Sequence, residues 1–242
     1  MLRRLLSASL LLCTAAAAAQ ADGEVVFATV DTNAMPLAAY EGEQLQNGIL
    51  KDVGVAIARR LGRTARFLTL PRNRLASALA DGRVDGNCYL LPAWLEPGPL
   101  RWSRPLIPNR DLVVGRPEAP ALASAADLAD EPVGTVLGYR YPELEGKLGN
   151  RFRRDDAPDM HSNLRKLAAG RVRYAIVDQL TLQYEIRTTL RDFKPGPSLT
   201  VASFVASCAF SPKGKVPAED LQRSADALLQ DGTMDAILAQ YR

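Results

Sequence analysis

Leu79 to Leu90 read "LADGRVDGNCYL", and Leu167 to Asp178 read "LAAGRVRYAIVD". The phrase Leu-Ala-x-Gly-Arg-Val thus recurs at an offset of 88 residues. In each copy an apolar helical turn stops at a glycine, Gly82 or Gly170, and a β-rich run follows. Glycine takes the positive φ that ends a helix at little steric cost. The repeat predicts one helix-to-strand device used in two halves of the chain.

The surroundings of both copies alternate in the same way. Glu24 to Val30, "EVVFATV", is an apolar run suited to a buried strand. In "GILKDVGVAIARRLG", Ile49, Val53, Ile57 and Leu61 make one apolar helix face, and Gly62 stops it. Ala65 to Leu70 reads as a strand, Asn73 to Ala80 as a short helix and Val84 to Leu91 as a third strand. Strand–helix alternation of this kind yields a parallel sheet covered by helices. The second half repeats it. "EPVGTVLG" is a strand, "YPELEGKLG" a helix ending at Gly149, and "RFRR" a short extended piece. Leu164 to Ala169 is a helix, "RYAIVD" a strand, and Thr181 to Leu190 a helix. Between the halves, "PAWLEPGPLRWSRPLIPNRDLVVG" is crowded with prolines and predicts a crossing segment without regular structure. After "FKPGPSL", the chain ends in two helical stretches split by Gly232.

The N-terminus has its own signature. Arg3 and Arg4 precede an apolar run from Leu5 to Ala19, and Ala19-Gln20-Ala21 has the A-x-A form. This predicts a secretory signal peptide, residues 1–21, cleaved after Ala21; the run falls short of the roughly 20 apolar residues of a membrane span. Without it, Lys+Arg falls from 30 to 28 against 27 acidic residues. A net charge of +1 gives no argument for nucleic acid as a partner. Cys88 and Cys208 remain once Cys13 leaves with the signal. Two readings stand for them: one disulfide, favoured in an oxidising compartment, or two buried free thiols.

The phrases "NGILKDVGVAIARRLG", "LADGRVDG", "ADLADEPVGTVLGYRYPEL", "LRKLAAGRVRYAIVD" and "ALLQDGTMDAILAQY" carry a resemblance. In this order they resemble the bacterial periplasmic solute-binding proteins of the amino-acid type, family 3 of the ABC transporter substrate-binding proteins. The resemblance implies an α/β, two-lobed periplasmic-binding-protein-like fold of type II, each lobe a mainly parallel sheet flanked by helices. It implies lobe 1 at residues 22–109 plus 197–242 and lobe 2 at 110–196. It also implies a periplasmic monomer that captures a small polar molecule, an amino acid or related amine or acid, and delivers it to the membrane subunits of an ABC importer. It sets Cys88 beside Cys208 on neighbouring strands of lobe 1, which supports the disulfide.

The resemblance also suggests ligand contacts. The end of the first strand contributes near Asp31 and Asn33. Asp178 stands where the family holds the ligand's α-amino group, although an Asp before an apolar helical run is equally a good N-cap. Gly138, Tyr139, Arg140 and Tyr141 form the strand-to-helix turn of lobe 2, where backbone N–H groups and the helix dipole favour an anion. One departure is sharp. The family usually carries Thr-x-x-Arg after the third strand, its arginine clamping a carboxylate; here the place reads Leu91-Pro92-Ala93-Trp94. Arg74, or Arg72 beside it, is the candidate substitute, and Tyr89 and Trp94 offer aromatic faces suited to an apolar or cationic group. A second departure is Arg173, which replaces the Asp of the first copy and is expected outside the lobe.

Signals for catalysis are weak. His161 is the only histidine and is expected to be solvated at a helix start. No nucleophile–histidine or metal-ligand pattern assembles around it, so the reading is a non-enzymatic receptor without cofactor or metal. The alternatives are a dehydratase on the same scaffold, of the prephenate or arogenate type, with Asp31 or Asp178 as its acid or base, and the binding component of a sensor system.

Overall fold

The computed structural model describes residues 23–96 and 98–241; the signal-peptide segment lies outside them. In chain order the strands and helices are β1 (Glu24–Val30), β2 (Ala39–Glu41), β3 (Gln44–Asn47), α1 (Ile49–Arg60), β4 (Thr64–Leu70), α2 (Leu75–Ala80), β5 (Gly86–Leu90), β6 (Arg101–Trp102), β7 (Ile107–Gly115) and β8 (Pro132–Val136). There follow α3 (Pro142–Leu148), β9 (Arg153–Ala157), α4 (Met160–Ala168), β10 (Tyr174–Asp178), α5 (Gln179–Thr188), β11 (Ser198–Phe210), α6 (Ala218–Gln230) and α7 (Thr233–Ala239). No helix among the described residues is long and apolar enough to cross a membrane.

One sheet runs β4-β1-β5-β11-β7-β10-β8-β9, with β6 pairing beside β11. It consists of two half-sheets joined by a pair of long strands. The first half, β4-β1-β5, is parallel, and β11 closes it antiparallel to β5. The second half, β10-β8-β9, is also parallel, and β7 closes it antiparallel to β10. In the middle β7 and β11 pair with each other from Ile107↔Ala206 to Val114↔Ser198.

Both half-sheets are buried on two faces, as parallel sheets covered by crossover helices must be. Along β1, Val25 and Phe27 pack with α1 and α6, whereas Val26, Ala28 and Val30 pack with α2. Along β10, Ala175 and Val177 join α4, and Tyr174 and Ile176 join α3. In α1 the predicted stripe is present: Ile49, Val53 and Ile57 are fully buried, each contributing about 1.5–3 kcal/mol of burial. Cys88 and Cys208 form a disulfide between β5 and β11, with an S–S distance of 2.07 Å and 120 residues between them.

Four local expectations shift. The proline-rich segment contains a regular nine-residue strand, β7. Pro108 fits there because residues 107–110 have only β11 beside them; β10 pairs β7 from Asp111 onward. A proline missing its N–H is tolerated on such a one-sided stretch. Second, β9 begins two residues later than "RFRR" suggests. Third, α4 starts at Met160, because the Asp159 side chain accepts the Ser162 N–H at 2.6 Å and caps it. Fourth, His161 is tied rather than free: its Nδ1 lies 2.9 Å from Glu185 on α5, a buried side chain.

Candidate ligand-binding site

A narrow cavity of about 30 Å³, room for one or two waters, lies where the two half-sheets face each other. From the first half come Asn33, Leu37, Arg72, Tyr89 and Trp94; from the second come Tyr139, Arg140, Tyr141, Met160 and Asp178; Asp111 and Phe204 belong to β7 and β11. Strand ends and the loops that follow them supply most of these side chains, the usual position of ligand sites in parallel sheets.

Asn109 of β7 ties the two halves together at the floor. Its Nδ2 donates to the Tyr89 hydroxyl at 2.6 Å and to Asp178 Oδ1 at 2.9 Å, while its Oδ1 accepts the Leu180 N–H at 3.2 Å. Asp178 Oδ1 also accepts the Thr181 N–H at 2.9 Å, so Asp178 is the N-cap of α5. The second oxygen of Asp178 has no partner among the described residues. Capping and an orientation toward the cleft coexist in one side chain.

Aromatic rings form the walls. Trp94 meets Phe204 edge-on at 5.1 Å between centroids, and Tyr89 lies 6.0 Å from Trp94 and 6.3 Å from Phe204. Burial raises the Tyr89 pKa and pushes that of Tyr139 up to about 12, so both hydroxyls stay protonated. Across the cleft the Tyr139 hydroxyl donates to Asn33 Oδ1 at 3.0 Å, and the Met160 N–H reaches the Thr32 carbonyl at 3.4 Å. These contacts hold the two halves closed on each other.

Arg72 occupies the space between the walls. Its guanidinium lies 5.5 Å from the Trp94 centroid and 5.7 Å from that of Tyr139. No ion pair or hydrogen bond from a described residue reaches it, and burial lowers its pKa. Cation–π attraction is stronger once the cation is desolvated; here it substitutes for a carboxylate partner. Arg74, two residues on, is exposed and does not line the cavity. Of the two candidate substitutes for the missing clamp, the turn at residues 72–74 presents Arg72.

Asp31 and Gly138 lie outside the cavity wall, both exposed. The turn before α3 differs from its expected role as an anion site. The Tyr141 N–H already donates to Glu145 Oε1 at 3.0 Å, and Arg140 is exposed with its Nε 3.2 Å from the same carboxylate. Glu145 therefore supplies the negative charge that the helix start would otherwise attract. Arg154 braces the turn from behind, donating to the Tyr139 and Val136 carbonyls at 2.9 Å each, with its guanidinium 5.3 Å from the Tyr141 centroid.

Leu37, Asp111, Met160 and Phe204 line the cavity without any signal in the sequence. Asp111 stands directly opposite Asp178 in the β7–β10 register. Burial, reinforced by the Asp178 and Glu143 carboxylates, pushes its pKa up to about 7.

No family model and no curated protein matches the chain. Solved structures do. An ancestral arginine-binding protein bound to glutamine is 19% identical, with 91% of this chain and 98% of that chain covered and a TM-score of 0.73. The substrate-binding protein of an ABC uptake transporter from Streptococcus pneumoniae, with bound histidine, is 15% identical over 90% and 92%, at a TM-score of 0.71. An ancestral amino acid-binding protein, a precursor of cyclohexadienyl dehydratase, is 15% identical over 90% and 94%, also at 0.71. Beside the paired half-sheets and the cleft between them, these likenesses establish the architecture: the chain has the two-lobed fold of the periplasmic solute-binding proteins.

Proposed function

We propose that this protein is a solute receptor that closes its two lobes around a small zwitterionic molecule, an amino acid or a close relative. The observation that carries the reading is Arg72, a partly buried guanidinium without an anionic partner among the described residues, held in a cavity between the two half-sheets that also contains the free oxygen of Asp178. A ligand carboxylate gives Arg72 the partner it lacks, and a ligand ammonium meets Asp178. Binding exchanges a conformation with separated lobes for a closed one. An amino acid does not fit the present cavity, so Arg72 withdraws or the lobes settle farther apart around it. We assign the lobes to residues 22–109 plus 197–242 and 110–196, which makes β7 and β11 the hinge. The structural neighbours named for amino acid binding and ABC uptake support a role in periplasmic capture and delivery to an importer.

The test is a thermal-shift and calorimetric panel of amino acids, amines and small acids. At least one is expected to stabilise the protein, by about 2.7 kcal/mol at a hundredfold excess over Kd. Arg72→Met is expected to weaken that ligand by about 2 kcal/mol, roughly thirtyfold in Kd. A panel without any response overturns the receptor.

A dehydratase reading is favoured by one observation. Asp111, with a pKa near 7 in an enclosed cleft, has the poise of a general acid at neutral pH. Turnover of prephenate or arogenate, abolished by Asp111→Asn, would establish it; binding without product removes it.

A further inference from the structure

We infer that Asp111 is a specificity-determining residue of the cleft, setting the net charge of the accepted ligand at +1; this rests on the receptor reading above. The argument is a charge inventory. Asp111 and Asp178 face each other as register partners on antiparallel strands, an arrangement of like charges that destabilises a strand pair unless something positive joins them. Asp178 has Asn109 and the Thr181 N–H for one of its oxygens. For the Asp111 carboxyl no hydrogen bond or ion pair is present among the described residues.

The groups around Asp111 do not supply a cation either. Asp178 faces it from β10 and Glu143 from the first turn of α3. The hydroxyls of Tyr89 on β5 and of Tyr139 and Tyr141 in the turn before α3 complete the surroundings. Arg72 is held by Trp94 and Tyr139, and Arg140 is engaged by Glu145. Of the charged residues lining the cavity, Arg140 is offset by Glu145, which leaves Arg72 against the two carboxylates of Asp111 and Asp178. Glu143 lies outside the lining and adds only negative charge beside Asp111. A zwitterion satisfies Arg72 and Asp178 and leaves Asp111 over. Two outcomes remain for it: the ligand brings a second cationic group, or Asp111 keeps a proton.

The sign of the pH dependence follows. Beside a neutral ligand, Asp111 holds its proton up to about pH 7. Beside a cationic group it ionises at lower pH, because an opposite charge favours the carboxylate. Preference for the cationic ligand therefore grows as pH rises toward 7 and levels off above it.

L-Arginine and L-citrulline, nearly isosteric and differing by one charge, are the probes. Titration calorimetry on the full chain at pH 5.0, 6.0 and 7.5 gives the ratio of their Kd values. In the wild type the ratio is expected to move at least tenfold toward arginine between the extremes, one pKa unit being a factor of ten. Asp111→Asn is expected to flatten it and Asp111→Glu to retain it, with circular dichroism confirming that both fold. A ratio independent of pH in the wild type, or a slope that survives in Asp111→Asn, overturns the inference. If L-citrulline or other neutral amino acids bind as tightly as L-arginine at pH 7.5, the inference falls and the receptor stands. If no amino acid, amine or small acid binds at all, both fall together.

Discussion

Gly82 and Gly170 end their helices at φ of +72° and +73°, and the strands that follow, β5 and β10, are buried along their whole length. From there the two copies of the repeated phrase diverge. In the first, Asp85 is buried and accepts the Val26 N–H at 2.7 Å and the Val216 N–H at 3.0 Å. In the second, Arg173 stands in its place, exposed, with Glu131 at 3.5 Å. The first strand carries the disulfide to β11; the second carries Asp178, cap and cleft residue at once. A Cβ on Gly82 would meet the Lys213 carbonyl at 2.2 Å, whereas one on Gly170 would meet the flexible Arg116 guanidinium at 2.8 Å.

The asymmetry has a physical reason. The first half-sheet shares its core with residues 216–238 from the far end of the chain. Bringing such distant segments together costs loop-closure entropy, and the first copy carries the ties that hold them: a carboxylate, a covalent bond and a tight glycine contact. The second half-sheet is built from one continuous stretch, and its copy of the phrase carries neither the buried carboxylate nor the disulfide; the half's tight glycine contact, Gly196 against the Arg116 carbonyl, lies outside the phrase. The shared phrase makes the helix-to-strand turn, and the divergent residues do what each location requires.

The comparison can be broken in graded steps. The largest effect is expected from Cys88→Ala with Cys208→Ala. A loop of 120 residues corresponds to about 4–5 kcal/mol in the chain-entropy account. Urea unfolding measures it, and a loss below about 1 kcal/mol would mean that packing alone holds the ends together. Next comes Asp85→Ala, which strips two buried N–H groups of their acceptor at about 3 kcal/mol; Arg173→Ala should cost under about 0.5 kcal/mol. Equal costs would abolish the distinction between the copies. Gly82→Ala is expected to destabilise by about 2–3 kcal/mol because a backbone carbonyl blocks the new methyl, and Gly170→Ala by about 1 kcal/mol, the conformational cost alone. The last step probes closure instead of stability. Tyr139→Phe removes the hydrogen bond to Asn33, worth about 1 kcal/mol, and should reduce the closed-to-open ratio roughly fivefold. Small-angle scattering with and without ligand would read that change as a larger average radius of gyration.

Much of the fold was legible because its determinants are local. The apolar stripe of α1, the glycine stops and the alternation of buried strands with amphipathic helices rest on periodicity and turn chemistry over a dozen residues. The candidate site was legible only in part. Asn33, Tyr89, Trp94, Tyr139, Tyr141 and Asp178 lie at strand ends or the loops after them, where the resemblance points. Asp111 was hidden in a strand that the prolines obscured, and Phe204 lies on the strand of Cys208, which the resemblance implied without marking Phe204 as a cleft residue. Asn109 sits at the supposed lobe boundary and shows its role only once Tyr89 and Asp178 are beside it.

What the chain by itself determined is the repeated device, its two half-sheets and the residue types available to a cleft. Only the tertiary structure decided which of them meet. Arg72 and Arg74 are alike in composition and differ in which way one turn faces; Asp111 and Asp178 are 67 residues apart and become partners through the β7–β10 register. Direction and register are set by packing between segments distant in sequence, and no local pattern records them.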